Sequence, residues 1–581
     1  MGIKRFPREI IQDIVSYLPD RDTDRKDLLN CSRACQSFWD AATPAIYRDI
    51  NLQYDHDQDT EVNEKTERRK LRLMQSIAEN PKLGAQVRTF VTDPEPRRPR
   101  LSTRERTEID ENLLLGAAKN MTRLSKAFFN FNPLAVQVVT TLPLYPELTD
   151  LSLDGFTPSK HIWKNEKTSL RKLHWKKSAT QYTYYADKLP DMFVELRLLL
   201  KVVEATCPDM EVFNIELANT NSIPPERDTV VPPELIAEYN ALSEQTEARL
   251  SKLRHFGFIM NRVHFHAGNE EIRTFILDVV GRYGHCLESI TIPGGAHAWT
   301  REGLDFILKV CSLVPNLREL NVLGNDLGLG SGSKLGNMEA LRALTTSPAT
   351  AKMEKFSIMN IGGHFSKETG EVFKAWKNLK FLQVGDEDIS GGPFGDDGRP
   401  QFDEYRPNIL AFIKALPPSL QELYIEINGN DVCCDEDEDF DPICTMSPAI
   451  FHALPRLHTC DVHAWISNFD GGLGSLPEKG VFYRRLLSDP MRPKERAIWM
   501  SRMTFLYQDE DILVKKSPKV VENEAFEGED AKEIWLDGAT FAKKIKGTSR
   551  GRPPGRLDFS WPFCADLIQS KIADYEMFRT R

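Results

Sequence analysis

The feature that most constrains the fold is an apolar spacing, apolar-x-x-apolar-x-apolar, repeated through the central part of the chain. Ten copies are clear: Leu148/Leu151/Leu153, Leu170/Leu173/Trp175, Met210/Phe213/Ile215, Leu253/Phe256/Phe258, Leu287/Ile290/Ile292, Leu317/Leu320/Val322, Met353/Phe356/Ile358, Leu379/Leu382/Val384, Leu420/Leu423/Ile425 and Leu457/Cys460/Val462. Weaker copies begin near Val87 and Met121, and the separation between copies is irregular, roughly 22 to 43 residues. Each copy predicts one short strand with a buried side.

Helical segments lie between several of these strands, at Asn269–Tyr283, Thr300–Leu313 and 407–416. Short strands that alternate with helices indicate right-handed βα units and a parallel sheet. A unit of this size cannot bury its own apolar side, so we expect neighbouring units to stack into a solenoid. A doubly wound α/β domain would show similar strands and stays open as an alternative.

The clearest copy, Leu317 to Leu327, resembles a leucine-rich repeat in its apolar spacing and in the position of Asn325. Asn261 and Asn428 occupy the same offset in their own copies. An asparagine amide at this point satisfies backbone groups where the strand turns away. Most other copies lack it, so the chain resembles the degenerate, irregular form of that repeat family.

The N-terminus has a different pattern. Pro7 suits a first helical turn, and Ile10, Ile14 and Leu18 recur at helical spacing with Ile11 widening the apolar stripe. After Pro19 and a polar break, a second helix is predicted through Leu28, Cys31, Cys35 and Phe38, ending at Pro44. The stripe is wider than one helical hairpin can cover, and about 45 residues cannot form a large core alone. A partner protein is therefore expected to cover it.

In order and residue type, this segment from Phe6 to Tyr47 resembles an F-box, with Phe6 where the family usually has leucine. The fold implied is α/β: an N-terminal helical F-box, then an irregular leucine-rich-repeat solenoid with a parallel sheet lining a curved arc and helices outside. The resemblance implies a non-catalytic substrate receptor of a Skp–cullin–F-box ubiquitin ligase, bound to a Skp-type adaptor and through it to a cullin. The implied adaptor contacts are Phe6, Pro7, Ile10, Ile11, Ile14, Leu18, Leu28, Cys31, Cys35 and Phe38.

Two other classes of function stay open: an F-box scaffold without a ligase role, and an α/β enzyme. An ordinary helical hairpin capping a larger domain is the plain alternative for the N-terminus.

Strand alternation assigns the residues between the buried positions to the concave face, where a protein substrate is expected to bind. The candidate substrate residues are Lys172, His174, Lys176, His255, Glu319, Asn321, Phe381, Gln383, Glu422, Tyr424, Glu426, Asp461 and His463. The same rule adds Asp150, Ser152 and Asp154. The charge of this face changes from basic near Lys172 to acidic near Glu422.

Length and composition bound the remaining possibilities. The chain has 581 residues, which is more than one compact core usually holds. Its net charge of −10 indicates solubility and no particular class of partner. No run of 18 apolar residues and no apolar signal segment after Lys4-Arg5 is present, and the ten cysteines form no regular framework. The expected location is intracellular, in the cytoplasm, the nucleus or both.

Motifs for chemistry are absent or incomplete. The glycine-rich stretch 324–336 lacks a final Gly-Lys-Ser/Thr, and neither His-Glu-x-x-His nor Gly-x-Ser-x-Gly occurs. The pair Cys433-Cys434 with Cys444 has no Cys-x-x-Cys partner, and the acidic run 435–439 lacks an EF-hand pattern. No cofactor, metal or catalytic residue is expected.

The chain is therefore divided into an F-box (1–50), a charged helical connector (51–80), the repeats (81–476), a C-terminal cap (477–541) and a basic Pro/Gly-rich tail (542–581). In the tail, Arg550, Gly551, Arg552 and Pro553 resemble a single AT-hook, a minor-groove DNA-binding motif. A linker or nuclear-import segment is favoured, so neither nucleic acid nor membrane is expected as a partner.

Overall fold

The computed structural model is a mixed α/β protein in which helical segments lie between many of the described strands. It describes residues 11, 25–51, 72–91, 113, 116–130, 145–154, 167–178, 189–218, 237, 250–261, 269–293, 301–323, 337–358, 365–386, 410–429, 450–466, 479–488, 497–506 and 534–537. The chain divides into two compact units, residues 1–258 and 259–581, each described by itself below. Within the described residues, no helix has the length and apolar character needed to span a bilayer.

In the first unit a helical hairpin precedes the strands, which follow in chain order. The helices include α1 (Arg25–Ala34), α2 (Gln36–Arg48), the short α3 (Pro81–Gly84) and α4 (Leu189–Thr206). The strands are β1 (Asp49–Asn51), β2 (Thr89–Val91), β3 (Lys126–Asn130), β4 (Asp150–Asp154), β5 (Lys172–Ser178), β6 (Val212–Ala218) and β7 (His255–Asn261), the last three residues of β7 falling in the second unit. From β1 to β6 each strand pairs in parallel with the next, and β7 follows β6 in the strand order.

The second unit has the same organisation until its last strands. Its helices include α5 (Asn269–Tyr283), α6 (Arg301–Ser312), α7 (Asn337–Thr346) and α8 (Lys367–Val372), with 3-10 turns at Pro348–Thr350 and Phe373–Ala375. Its strands are β8 (Ser289–Pro293), β9 (Glu319–Leu323), β10 (Lys355–Ile358), β11 (Phe381–Asp386), β12 (Glu422–Gly429), β13 (Thr459–Ile466), β14 (Lys479–Ser488), β15 (Ala497–Leu506) and β16 (Ile534–Asp537).

Strand pairing in this unit is parallel from β8 through β13 and continues in parallel to β15. β14 then pairs antiparallel with both β15 and β16.

The strand order decides between the two folds that the sequence left open. A doubly wound sheet reverses its strand order at a switch point. From β1 to β7 in the first unit, and from β8 to β13 in the second, every strand lies beside its sequence neighbour without a reversal. Each unit therefore has the topology of stacked βα repeats, as the apolar spacing predicts.

The predicted core positions whose side chains are described are buried. In the first unit Leu151, Leu153 and Trp175 are fully buried, and in the second Leu320 and Val322 are as well. Burying side chains of this size contributes about 1.5–3 kcal/mol each. The repeat spacing therefore identifies the side of each strand that stabilises the fold.

A column of alternating charges precedes the strands. The residue just before each strand is Arg171, Glu211 and Arg254 for β5 to β7, and Glu288, Arg318, Glu354 and Lys380 for β8 to β11. Within each unit their main chains are joined, as where the carbonyl of Arg318 accepts from the N–H groups of Glu354 and Lys355 at 2.8 and 2.9 Å. Glu354 also pairs with Arg318 at 3.2 Å and with Lys380 at 2.7 Å. The column links successive repeats at the point where each strand begins.

The N-terminal helices differ from the prediction in their break. Cys35 was predicted inside the second helix, but its backbone is extended (φ −166°, ψ 170°), and it separates α1 from α2. Pro44 was predicted to end this helix and instead lies inside α2, which continues to Arg48. Since α2 begins at Gln36, Pro44 falls in its third turn, where its missing N–H removes one internal hydrogen bond.

Candidate functional site

Side chains along each strand alternate between the buried core side and the opposite side of the sheet. We call this opposite side the polar face. In the second unit, strand register aligns these residues in rows across the sheet. The start row is Ser289, Glu319, Lys355, Phe381 and Glu422, and the middle row is Thr291, Asn321, Ser357, Gln383 and Tyr424. The predicted substrate residues of this unit with described side chains all belong to these two rows.

The start row is open and contains both charges and an aromatic ring. Lys355, with 57% of its side chain exposed, pairs with Glu319 at 3.6 Å. The Phe381 ring packs against the ring of Tyr424 with their centroids 5.2 Å apart. The hydroxyl of Tyr424 donates a hydrogen bond to Oε2 of Glu422 at 3.1 Å. Phe381 and Glu422 are themselves half-buried, so both can be reached from solvent.

The middle row is closed except at Asn321, which is half-buried, so part of the predicted substrate surface is not accessible. Gln383 is 6% exposed and Tyr424 is 4% exposed, as are Thr291 and Ser357. Asn321 donates from Nδ2 to Thr291 Oγ1 at 3.2 Å and to Glu319 Oε1 at 3.0 Å. Alternation predicts which side of the sheet a residue faces, but it contains no information about what packs over that side. Gln383 and Tyr424 are therefore not accessible for direct contact with a partner in this arrangement.

In the first unit, the polar face contains a buried carboxylate. Glu216 on β6 is only 3% exposed. Its Oε2 lies 3.0 Å from Nε2 of His174, and its Oε1 lies 3.4 Å from Nζ of Lys176, both on β5. Burial raises the pKa of Glu216, but the charge of Lys176 and the contact with His174 outweigh burial and lower the pKa to about 2. Glu216 is therefore ionised at neutral pH and fixes the positions of two predicted substrate residues.

His255 belongs to the same face and contacts Asn214, which lies two residues before Glu216 on β6. Its Nε2 lies 2.9 Å from Oδ1 of Asn214. Gly257 permits this contact, because a Cβ at position 257 would overlap Oδ1 of Asn214 and would lie 3.3 Å from Nε2 of His255. Lys172, at the beginning of β5, is exposed. The structure thus joins His174, Lys176 and His255 to Glu216 and Asn214 on three successive strands.

The sequence interpretation missed Glu216 and Asn214. The repeat spacing identifies Phe213 and Ile215 as the buried residues of that strand, and Asn214 and Glu216 alternate with them. The rule alone would have placed both on the polar face. The burial of Glu216 is not visible in sequence, because it depends on His174 and Lys176, which come about 40 residues earlier in the chain.

The N-terminal hairpin buries part of its predicted adaptor surface within the chain itself. Leu28 is 1% exposed in a cluster with Ala42, against which Phe38 and Ile46 pack. Ile11 is also buried, at 3% exposure. Cys31 is half-buried and Cys35 exposed. Of the other predicted contacts, Phe6, Pro7, Ile10, Ile14 and Leu18 lie outside the described residues.

Two apolar residues that the prediction did not include are exposed on this hairpin. Leu29 on α1 and Trp39 on α2 each have 41% of their surface exposed. In the described part of the chain, the other large hydrophobic residue with comparable exposure is Leu313, at 37%. Leu29 directly follows buried Leu28 and faces outward because one residue rotates by about 100° around a helix.

Several predicted features fall where side chains or backbone are not described. Glu426, Asp461 and His463 lie within β12 and β13, where Glu426 is paired with His463 in the backbone register, but their side chains are not described. The stretch 324–336, the acidic run 435–439 and the AT-hook-like segment at Arg550 lie outside the described residues. Among the described residues, no group of three or more His, Cys, Asp or Glu side chains is placed to hold a metal ion.

Comparisons with known proteins do not assign a family. No protein-family model matches the chain, and no curated protein matches its sequence. Among solved structures, the chain is similar to an internalin (inlF) from Listeria monocytogenes str. 4b F2365, with 11% sequence identity over 69% of this chain and 90% of that one and a TM-score of 0.25. A similarity this low carries no argument about function, and the fold assignment rests on the strand order within each unit.

Proposed function

We propose that this chain is a protein-interaction receptor, and more specifically the substrate-recognition subunit of a Skp–cullin–F-box ubiquitin ligase. The N-terminal hairpin would bind a Skp-type adaptor, and through it a cullin, and the polar face would bind the target protein. The receptor would contribute no catalytic residue, since its role is to raise the effective concentration of the target near the conjugating enzyme. It would act in the cytoplasm, the nucleus or both.

The observation that carries the adaptor proposal is the exposure of Leu29 and Trp39. A helical hairpin buries Leu28 and Ala42 in its own interior and still exposes a leucine and a tryptophan on its two helices. Tryptophan is among the residues that contribute most to protein–protein interfaces, and a partner that covers both side chains would remove them from water. The order of residues from Phe6 to Tyr47, which resembles an F-box, gives the class of partner.

The repeats support the second half of the proposal. Stacked βα units expose a long row of side chains on one side of the sheet, and such surfaces are suited to binding another protein. In both units, the polar face contains charged side chains that nearby residues hold in position: Glu216 holds Lys176 from the neighbouring strand, and Tyr424 orients Glu422 on the same strand. Fixed side chains lose less conformational entropy on binding.

The direct test is co-purification of the full chain with a Skp-type adaptor. We expect stoichiometric binding by the wild type, and at least a 100-fold weaker affinity for the double variant Leu29→Asp/Trp39→Ala, because a charge and a lost aromatic ring together cost about 3 kcal/mol or more at an interface. Leu313→Asp is the matched control, since Leu313 has a similar exposure in the second unit. A folded wild type that does not bind the adaptor would refute the proposal.

A second measurement separates a ligase receptor from a scaffold that binds the adaptor without a target. The abundance and half-life of cellular proteins would be compared between cells with the wild type and cells with the Leu29→Asp/Trp39→Ala chain. A receptor requires at least one protein that becomes longer-lived in the variant. A scaffold predicts adaptor binding with no such protein.

A further inference from the structure

The start row of the second unit contains an open corner formed by Phe381 and Glu422. The two residues are direct neighbours in the register of β11 and β12, so their side chains leave the sheet side by side. Both are half-buried, and the rest of each side chain is accessible to solvent. The aromatic ring of Phe381 therefore lies next to a carboxylate.

The charge of Glu422 is not compensated within the described part of the chain. Its contact there is the hydrogen bond from the Tyr424 hydroxyl at 3.1 Å, and no lysine, arginine or histidine of the described residues pairs with it. Glu319 in the same row differs, because it pairs with Lys355 at 3.6 Å and accepts a hydrogen bond from Asn321. Lys355 borders Phe381 on its other side, and its pairing with Glu319 offsets its charge. The corner at Glu422 is therefore the part of the row that attracts a cation.

The corner is also held in place by its neighbours in the middle row. Tyr424 is 4% exposed, packs its ring against Phe381, and uses its hydroxyl to fix one carboxylate oxygen of Glu422. Gln383, 6% exposed, lies between Ser357 and Tyr424 in the closed middle row. A carboxylate and a ring that are already oriented lose little freedom when a ligand binds.

We propose that Phe381 and Glu422 form a subsite for an arginine side chain of the partner polypeptide, with the guanidinium over the Phe381 ring and its N–H groups donating to Glu422. A planar, weakly hydrated guanidinium can stack on a ring and donate to a carboxylate at the same time, whereas the ammonium of lysine is compact and strongly hydrated. This inference rests on the proposed function, because it names the chemistry of the partner that the polar face would bind.

The test uses the purified full chain and a defined small probe, N-acetyl-arginine methylamide, titrated by saturation-transfer NMR. The lysine and citrulline analogues are matched probes, because citrulline keeps the shape of arginine and lacks its charge. We expect the arginine probe to bind about threefold more tightly than the lysine probe and at least tenfold more tightly than the citrulline probe.

Variants of the chain locate the binding. Glu422→Gln is expected to weaken the arginine probe about tenfold and to remove its preference over citrulline, and Phe381→Leu to weaken it about threefold. Tyr424→Phe keeps the ring but loses the hydroxyl that orients Glu422, and a twofold to threefold loss is expected. Glu270→Gln is the matched charge control, since the Glu270 side chain is 83% exposed on α5 of the same unit, and it should bind as the wild type does.

The inference is overturned if Glu422→Gln binds the arginine probe as the wild type does, or if citrulline binds equally well. It is also overturned if Glu270→Gln and Glu422→Gln weaken binding equally, because the probe would then respond only to the acidity of the chain. Failure of the proposed function is a separate outcome. A chain that binds the probe through Glu422 but never binds the adaptor refutes only the ligase proposal, and the reverse result refutes only the arginine subsite.

Discussion

The buried carboxylate of Glu216 allows a quantitative prediction about stability and pH. Its pKa in the folded chain is about 2, compared with an ordinary value of 4.5. The difference of roughly 2.5 units corresponds to about 3 kcal/mol of stability, since one unit is worth about 1.4 kcal/mol. This stability is fully present above pH 4.5, and it is lost as the pH falls toward 2, because the unfolded chain takes up the proton first.

Glu216→Gln removes the charge and keeps the size of the side chain. At pH 7 we expect the variant to be about 3 kcal/mol less stable around β5 and β6, because His174 and Lys176 lose their shared partner. The difference between wild type and variant should shrink steadily between pH 4.5 and pH 2. Taking the difference removes the contribution of every other carboxyl group that titrates in this range.

The measurement is amide hydrogen exchange followed by mass spectrometry on peptides that cover residues 172–178 and 212–218. Exchange reports the local free energy of opening, so it does not require the whole chain to unfold in one step. Glu147→Gln is the control: Glu147 is 47% exposed and pairs with Arg88, and a surface pair of this kind contributes less than about 1 kcal/mol. A stability difference for Glu216→Gln that stays constant from pH 6 to pH 2.5 would refute the assignment of an ionised, buried Glu216.

Two further substitutions test the packing of each unit. Gly257→Ala should displace the Asn214 side chain from His255 and lower the free energy of opening of β6 and β7, measured by hydrogen exchange, by about 1–3 kcal/mol. The control is Gly281→Ala on α5, where nothing lies within 4 Å of the added Cβ, and it should be neutral or stabilising. Equal effects of the two substitutions would contradict the role given to Gly257. Glu354 accepts a hydrogen bond from Lys380 and pairs with Arg318, and both contacts lower its pKa. Glu354→Gln should therefore reduce the free energy of unfolding of the second unit, measured with urea, by about 1 kcal/mol at pH 7 and by much less in 1 M salt. An effect that does not depend on salt would exclude the charge column as its cause.

The repeat could be predicted from sequence because its apolar pattern is local and occurs in many copies along the chain. Each strand requires two buried residues at fixed spacing, such as Leu320 and Val322, and the same requirement returns in every copy. The helix Asn269–Tyr283 was predicted at the bounds that the structure has, because its apolar residues keep one periodicity over four turns. The break at Cys35 was missed because Leu28, Cys31, Cys35 and Phe38 keep the same periodicity across it.

The properties of the polar face could be predicted only in part, because they depend on pairs of residues far apart in the chain. Alternation correctly assigns His174 and Tyr424 to strand positions beside buried residues, but it does not reveal that Glu216 lies between His174 and Lys176. It also does not distinguish the open Phe381 from the closed Gln383, two residues later on the same strand. What packs around each side chain is decided by neighbours contributed by other repeats.

The difference between the two rows determines where a partner can be recognised in the second unit. The middle row is closed at Thr291, Ser357, Gln383 and Tyr424, so a partner cannot reach these polar groups without displacing what covers them. The start row remains open and follows directly after the charge column, where Glu354 is neutralised by Arg318 and Lys380. Most charges near the beginnings of these strands are thus already paired, whereas that of Glu422 is oriented by Tyr424 and has no cationic partner among the described residues. Specific binding favours such a group, because a new ion pair there need not break an existing one.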